Sequence, residues 1–81
     1  MKLLDELRTS NMIVGVKQLR KALNAGKVSK VFVARDADPA LTDPLVQSCR
    51  ERCISVVFVP SMKQLGEACS ISVPAAAAAI L

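Results

Sequence analysis

The chain has 81 residues, of which 52% are hydrophobic and 22% are charged, and its formal net charge is +4. A chain of this length folds as one domain that buries only about 60% of the surface exposed by its unfolded state, and a second domain does not fit. The composition excludes a disordered protein, which has fewer apolar and more charged residues. We therefore predict a single globular domain over residues 1–81.

No targeting or membrane-spanning segment is visible. The opening stretch MKLLDELR contains one apolar pair, Leu3 and Leu4, which two acidic residues follow directly, and this excludes the apolar core of a signal peptide. No window approaches the length of a transmembrane helix. We expect a cytoplasmic protein with free thiols, and the odd number of cysteines agrees with that expectation. The three cysteines are Cys49, Cys53 and Cys69.

Basic residues are concentrated in the first half of the chain. Seven of them, and no acidic residue, lie between Leu7 and Arg35, whereas the remainder carries four basic and seven acidic residues. Such a polarised distribution gives a positive surface that attracts polyanions. A solvated lysine-rich surface that only aids solubility explains the charge equally well. The seven residues are Arg8, Lys17, Arg20, Lys21, Lys27, Lys30 and Arg35.

The first elements follow from hydrophobic spacing. The leucines from Leu3 to Leu7 indicate a short amphipathic helix, and the apolar run at 12–15 indicates a strand that ends at a glycine. A second helix is predicted over Val16–Ala25, because apolar residues recur there at helical spacing. Gly26 then supplies the left-handed residue that closes a helix.

The middle of the chain predicts a strand, a loop and a helix. Residues 30–34, KVFVA, are β-branched and aromatic and predict a strand. Residues 35–44, RDADPALTDP, are predicted as a loop, because Asp-Pro and scattered aspartates favour turns. The next helix is predicted over 44–52, with a proline in its first turn and Thr42 or Asp43 as N-cap.

The last third completes a layered α/β domain. Residues 54–59, ISVVFV, predict a buried strand, and Pro60-Ser61 begins a helix over 62–69. The five alanines near the end have high helix propensity, but small side chains in a central strand let helices pack closely on both faces. We therefore predict a strand over 76–80. The repeated alternation of strand and helix indicates an α/β fold with helices on both faces of one sheet.

Catalytic and metal-binding chemistry have little support. The chain has no histidine, which removes the commonest general base. Asp36 and Asp38 form the best carboxylate pair, in a loop after a strand where α/β proteins often bind ligands, but aspartates beside a proline usually form turns. The cysteines lie among apolar residues without the spacing of a zinc site, so we expect them to be buried small hydrophobes.

A nucleic acid remains the leading partner, and the pattern constrains how it is bound. Both glycine-rich phosphate-binding motifs are absent. Phe32 and Phe58 lie inside strand-like apolar runs, so no aromatic surface for stacking bases is expected. Gly15 allows close approach of the backbone at the start of the second helix, where lysines and a glutamine can contact base edges and phosphates. The sequence therefore predicts a polar edge of this helix that reads RNA or DNA.

Four stretches of the chain resemble one known family. GVKQLRKAL, KVFVARDADP, ISVVFVPSMKQLGEACSI and VPAAAAAI occur in the order and spacing of the kink-turn RNA-binding ribosomal proteins, the superfamily of archaeal ribosomal protein L7Ae. The chain is most similar to the short bacterial YbxF-type branch, over nearly its whole length. The resemblance implies a three-layer α/β/α sandwich with a mixed, roughly four-stranded sheet, in which the alanine-rich stretch is a strand.

The resemblance also implies an RNA-binding helix. In the family, a glycine-led helix N-terminus enters the widened major groove at the sheared G·A pairs of a kink-turn. The archaeal and eukaryotic pattern there is Asn-Glu-x-x-Lys, and the matching residues here are Lys17, Gln18 and Lys21. The glutamine removes a carboxylate that accepts from guanine N–H groups. We expect lower affinity, or a larger share of phosphate contacts and therefore a stronger dependence on salt.

The second implied contact is the loop after the helix that contains the family's LGxA motif. Apolar residues of this loop pack on the unstacked bases of the three-nucleotide bulge, and Ile71, Val73 and Pro74 occupy it here. The pattern alone favours a simple buried connection. The family usually has glycine at the position of Ser70, and a serine in a left-handed helix cap costs up to about 1 kcal/mol.

The sequence thus predicts a non-enzymatic, monomeric RNA-binding protein that stabilises kink-turns in ribosomal or regulatory RNA, without a cofactor or metal. The alternative is a ribosome-associated assembly or protein-interaction module that binds RNA phosphates without kink-turn specificity. A small enzyme, with turnover that depends on Asp36 or Asp38, ranks third. The residues assigned to RNA binding are Gly15, Val16, Lys17, Gln18, Arg20, Lys21, Arg35, Ile71, Ser72, Val73 and Pro74.

Overall fold

The computed structural model describes residues 11–81, so the helix predicted around Leu3 to Leu7 lies outside the described residues. Strands and helices alternate along this part of the chain. They are β1 (Met12–Val14), α1 (Val16–Asn24), β2 (Lys30–Ala34), α2 (Pro39–Glu51), β3 (Ser55–Val59), α3 (Met62–Ala68) and β4 (Ala77–Ile80). All four predicted strands are present, and β4 is a strand despite the helix propensity of its alanines.

The strands form one mixed sheet in the order β1-β4-β2-β3. β4 pairs antiparallel with β1 on one side and with β2 on the other, whereas β2 and β3 are parallel. The parallel pair needs a crossover connection, which α2 supplies. The last strand in sequence is therefore a central strand of the sheet.

Each face of the sheet is covered by helix. On one face, Leu19 and Leu23 of α1 and Leu45 of α2 pack with Val31 and Val33 of β2. On the other face, α3 packs against the alternate residues of the same strand. Successive side chains of a strand point to opposite faces, so one run of β-branched and aromatic residues supplies both cores. The predicted α/β/α layering is confirmed.

The alanines of β4 explain how the layers fit together. Ala77, Ala78 and Ala79 are 0% exposed, with Ala78 in one core and its two neighbours in the other. A methyl group fills little of the space between sheet and helix, so the helices approach the sheet closely on both faces. Larger side chains here would overpack the core, which typically costs about 1–3 kcal/mol per site.

The three helices of residues 11–81 end with the same backbone motif. Each is followed by a residue with positive φ, namely Gly26 (70°), Cys53 (56°) and Ser70 (61°). In each case the N–H of this residue donates to the carbonyl three residues earlier, and the next N–H donates to a carbonyl five residues earlier. This is the Schellman motif, whose left-handed residue is usually glycine. The predicted glycine closure of α1 is confirmed, and the two other helices use cysteine and serine.

The predicted loop over 35–44 is wrong in its second half. α2 begins at Pro39, because the Asp38 carboxylate accepts from the backbone N–H of Ala40 at 2.9 Å and caps the helix one turn earlier than expected. Pro44 therefore lies inside the helix rather than at its start. Pro44 has no N–H, so the carbonyl of Ala40, four residues earlier, lacks its helical hydrogen-bond donor. Ala40 is exposed, so water can donate to this carbonyl instead.

The strand predicted at 54–59 is present, but its expected burial is wrong. β3 is an edge strand, and its side chains are mostly half-buried or exposed. Phe58 is 42% exposed. The apolar run resembles a central strand, but within residues 11–81 β3 has a neighbouring strand on one side only, and the helices cover the middle of the sheet. The expected burial of all cysteines fails at Cys53, which is exposed because it lies beyond the end of α2, whereas Cys49 and Cys69 are buried and all three are free.

None of the helices within residues 11–81 has the length and apolar character needed to cross a membrane.

The left-handed Ser70 generates a prediction about stability. Replacement of Ser70 by glycine removes the steric cost of its positive φ, and we expect the free energy of unfolding to rise by about 0.5–1 kcal/mol. For a domain of this size that is a rise of about 2–8 °C in Tm, measurable by thermal denaturation. Gly26→Ala is the matched control and should lower Tm. An unchanged Tm for Ser70→Gly would contradict the cost assigned to this cap.

Candidate nucleic-acid interface

One edge of the sheet collects most of the predicted site residues. β1, β2 and β3 all end at this edge, and β4, which runs antiparallel to β1 and β2, starts there. The N-terminus of α1, the segment after β2 and the loop before β4 therefore lie side by side. Ligands of α/β proteins often bind at such carboxyl ends of strands.

Backbone hydrogen bonds fix these segments to one another. The N–H of Gly15 donates to the carbonyl of Ala77 at 2.9 Å, and the N–H of Ala34 donates to the carbonyl of Ala76 at 2.9 Å. The N–H of Arg35 donates to the carbonyl of Val59 at 2.8 Å. The start of α1, the start of β4 and the ends of β2 and β3 are thus joined in one row.

The N-terminus of α1 needs its glycine. Gly15 has φ 104° and ψ 141°, a conformation that side chains with a Cβ rarely adopt. Its carbonyl accepts from the N–H of Leu19 at 3.0 Å, which starts the helix. Gly15 has no side chain to cap the first turn, so the open amides of that turn point out of the helix end toward any ligand.

The outer face of α1 is polar and continuous. Lys17, Gln18 and Lys21 are exposed, whereas Leu19 and Leu23 are buried and Val16 is half-buried. With 100° between successive residues, the two lysines lie on nearly the same line of the helix surface. Arg20 is also exposed and adjoins this line on the side away from Gln18. The face that the sequence predicted is present and solvent-accessible.

The positive charge at the start of α1 opposes the helix dipole, whereas Lys21 in the last turn agrees with it. The first turn of α1 has no acidic residue and contains Lys17, although the helix dipole favours negative groups at that end. Lys17 and Lys21 are also a like-charged pair one turn apart, which destabilises a helix by about 0.2–0.5 kcal/mol. An anionic ligand at this end reverses both effects. The arrangement therefore favours binding of a polyanion over stability of the isolated helix.

The loop between α3 and β4 presents apolar side chains to solvent. Val73 is 60% exposed, Ser72 and Pro74 are exposed, and Ile71 is half-buried against the core. The loop lies directly on α3 because Gly66 has no side chain: a Cβ there would overlap the carbonyl oxygen of Val73. The loop is not the buried connection that the pattern alone favoured.

A shallow cavity of about 320 Å³ lies between this loop and α3. Lys63 and Glu67 of the helix line it together with residues 71–74. The loop is held at its far end by the N–H of Ala75, which donates to the carbonyl of Met62 at 3.0 Å. The sequence analysis did not assign Lys63 to the site. Its position in the first turn of the helix that precedes the loop could have indicated that it lies near the loop.

Arg35 lies at the end of β2, beside an aromatic side chain that sequence reasoning had assigned to the core. Its guanidinium carbon is 5.3 Å from the centroid of the Phe58 ring, within the range of a cation–π contact. Because Phe58 is substantially exposed, the expectation that no aromatic surface is available for stacking is wrong.

The residues considered for catalysis have structural roles. Asp38 caps α2, and the Asp36 carboxylate accepts from the backbone N–H of Met62 at 2.7 Å, which ties the end of β2 to the start of α3. Burial raises the pKa of the Cys49 thiol, although the nearby Arg52 partly opposes this, and burial alone raises the pKa of the Cys69 thiol. Raised pKa values disfavour thiolates, which are the nucleophiles and metal ligands. Within residues 11–81 no group of three or more potential ligand residues is placed to hold a metal ion.

The site predicted from sequence falls into three parts in the structure. The first is the exposed face of α1 from Gly15 to Lys21, the second is Arg35 after β2, and the third is the loop at 71–74. The hydrogen bonds to Ala76 and Ala77 bring the N-terminus of α1 and the end of β2 to the start of β4, directly after the loop.

Comparison with known proteins agrees with this arrangement. The model of the ribosomal protein L7Ae/L30e/S12e/Gadd45 family matches residues 1–81. The chain belongs to this family. An RNA-binding protein of Geobacillus sp. (strain WCH70) is 45% identical over 75 residues, which are 93% of this chain and 92% of that protein. RNA-binding protein YbxF of Geobacillus stearothermophilus is 41% identical over 75 residues, with the same coverage of 93% and 92%.

A solved structure extends the similarity beyond bacteria. The 15.5kD RNA binding protein of Giardia lamblia superposes with a TM-score of 0.86 and 32% identity, over 96% of this chain and 69% of that one. The L7Ae-family fold and the YbxF-type resemblance predicted from the sequence are confirmed. The family and these relatives are RNA-binding proteins rather than enzymes.

Proposed function

We propose that this L7Ae-family chain is an RNA-binding protein that recognises and stabilises kink-turns in ribosomal or regulatory RNA. The single observation that carries the proposal is the joining of the glycine-led N-terminus of α1 to the start of β4, beside a loop with exposed apolar side chains. We further propose that it acts as a monomer in the cytoplasm, as one domain over the whole chain.

The exposed face of α1 suits the widened groove of a kink-turn. The helix end is narrow at Gly15, and Lys17, Gln18 and Lys21 project from its first turns. The lysine ammonium groups donate to guanine acceptors and to phosphates, and the glutamine amide both donates and accepts. Specific contacts to the sheared G·A pairs are assigned to Gln18 and Lys21, with Arg20 and Arg35 contacting the backbone.

The loop at 71–74 supports the second contact. Unstacked bases of the bulge need an apolar surface, and exposed Val73 and Pro74 provide one at the edge of a shallow cavity. Lys63 lines the same cavity and can neutralise a phosphate of the bulged nucleotides. The loop and α1 together bind both sides of the kink, and a protein that prefers the kinked form shifts the RNA population toward it.

The second candidate function has an observation of its own. The segment that forms α1 contains three basic residues and no acidic one, and such a surface binds any RNA through phosphates. A ribosome-associated assembly module of this kind would use the 71–74 loop to contact a protein. The two functions differ in whether affinity depends on the G·A pairs.

A binding titration at near-physiological salt separates them. The probes are one kink-turn RNA and a matched RNA in which the G·A pairs are replaced by Watson–Crick pairs. We expect the intact kink-turn to bind at least about tenfold more tightly, since each lost base contact costs about 1–3 kcal/mol. Equal affinity for both RNAs, with a steep dependence on salt, would instead support the assembly module.

Two substitutions on α1 test the roles assigned to its side chains. Lys21→Ala should weaken binding to the kink-turn and reduce the slope of log affinity against log salt by about one. Gln18→Ala should mainly reduce the discrimination between the two RNAs. Lys27→Ala, which removes an exposed lysine beyond the end of α1, is the matched control. If both α1 variants bind like the parent chain, the site lies elsewhere.

A third substitution tests the loop. Val73→Asp places a negative charge where we assign contact with the unstacked bases, and we expect affinity for the kink-turn to fall about tenfold or more. The side chain is 60% exposed, so Tm should change little. Val73→Thr, which keeps the shape without the charge, should bind close to the parent chain. A collapse of Tm in Val73→Asp would show that the residue supports the fold.

A further inference from the structure

An aromatic side chain is exposed on the edge strand of the sheet. Phe58 is 42% exposed, whereas the other phenylalanine, Phe32, is completely buried in the core. The guanidinium of Arg35 lies over the exposed ring at 5.3 Å from its centroid. A large apolar ring left in contact with water contributes less to the stability of the isolated chain than a buried ring does.

The register of the sheet places this ring on the same side as α1. Phe58 pairs with Val33 across the parallel strands, and Val33 packs in the core formed by α1 and α2. Paired residues of adjacent strands point to the same face of a sheet. Phe58 therefore lies on the face of the sheet that α1 and α2 cover, on the edge strand and level with Val33 of β2.

The ring also lies at the same end of the sheet as the candidate interface. Phe58 is the last residue but one of β3, and β3 ends beside Arg35, whose N–H donates to the carbonyl of Val59. Three strand spacings separate β1 from β3 in the order of the sheet, so Gly15 and Phe58 are roughly 14 Å apart across this edge. A folded RNA that contacts the N-terminus of α1 is wide enough to reach the ring.

The chemistry of the pair matches an unpaired nucleotide. A phenylalanine ring and a guanidinium plane are the two protein surfaces on which bases stack, and the charge of Arg35 adds attraction for the adjoining phosphate. The carboxylates of Asp36 and Asp38 beside Arg35 accept from backbone N–H groups of Met62 and Ala40. The same edge carries the exposed lysines and arginine of α1, which favours RNA over an apolar protein segment. We propose that Phe58 and Arg35 form a stacking platform for an unpaired base of the bound RNA that flanks the kink-turn, separate from the bulged bases at the 71–74 loop. The inference rests on the proposed function for its RNA.

The experiment compares kink-turn RNAs that differ only at their ends. One probe is blunt, one carries four unpaired adenosines at one helix end, one carries them at the other end, and matched probes carry four abasic nucleotides instead. We expect adenosines at one end to tighten binding by about fivefold to tenfold, and abasic nucleotides to give no such gain, because stacking needs the base. Phe58→Leu should abolish the gain, whereas Phe58→Tyr should keep it.

A control substitution and a second variant test whether the gain depends on this pair of side chains. Leu81→Ala changes a side chain of similar exposure, 47%, that lies next to the opposite end of β4, and it should leave the gain intact. Arg35→Gln removes the stacked charge and should reduce the gain, so the assignment does not depend on one substitution at Phe58.

The outcomes distinguish this inference from the proposed function. If the blunt kink-turn is preferred over its Watson–Crick control but adenosines give no gain at either end, the stacking platform is refuted and the proposed function stands. A gain that Phe58→Leu leaves unchanged also refutes it, and then the exposed ring is better assigned to a protein contact. If the kink-turn is not preferred but the gain disappears with Phe58→Leu, the platform stands and the kink-turn proposal fails.

Discussion

The pairing of β4 with two neighbours holds both the fold and the interface in place. Its alanines are completely buried between helices on either face, and the strand bonds β1 on one side and β2 on the other. The carbonyls of Ala76 and Ala77 accept from the N–H groups of Ala34 and Gly15. A displaced β4 would therefore separate α1 from the loop and from Arg35, because all three are positioned through this one strand. The central position of β4 therefore determines both the packing of the core and the geometry of the candidate interface.

Much of the fold follows from local patterns, since periodicity and turn residues specify β1, β2, α1 and α3 within about two residues. The errors arise where neighbours outside the local sequence decide. The prolines and aspartates of residues 35–44 favour a loop, but the Asp38 carboxylate caps a helix that begins at Pro39. The helix tolerates Pro44 because only one solvent-exposed hydrogen bond is lost there. Phe58 lies in a run that reads as core, but its strand is at the edge, and edge position is a property of the sheet order.

The candidate site was harder to obtain from residues alone than the fold. Lysines at helical spacing indicate a basic face, but the pattern does not reveal that the loop at 71–74 lies beside it, since about fifty residues separate the two in sequence. That proximity depends on β4, which runs antiparallel between β1 and β2. Its alanines have high helix propensity, so local propensity alone does not predict this strand. Family resemblance supplied the loop as a second contact. Neither source pointed to Phe58, whose exposure and contact with Arg35 are visible only in three dimensions.

Two departures from the family pattern act on different properties of the molecule. Ser70 has a positive φ, so its cost falls on the stability of the cap, while the loop that follows is held independently by the close contact of Gly66 with Val73 and by the bond from Ala75 to Met62. Gln18 is exposed on α1 and contributes little to the fold, but it stands where the family pattern has a carboxylate, at a position for which we propose contact with base edges. Stability and the proposed recognition can therefore change separately in this chain, because the loop is held through backbone groups of Val73 and Ala75, whereas the proposed ligand contacts use exposed side chains.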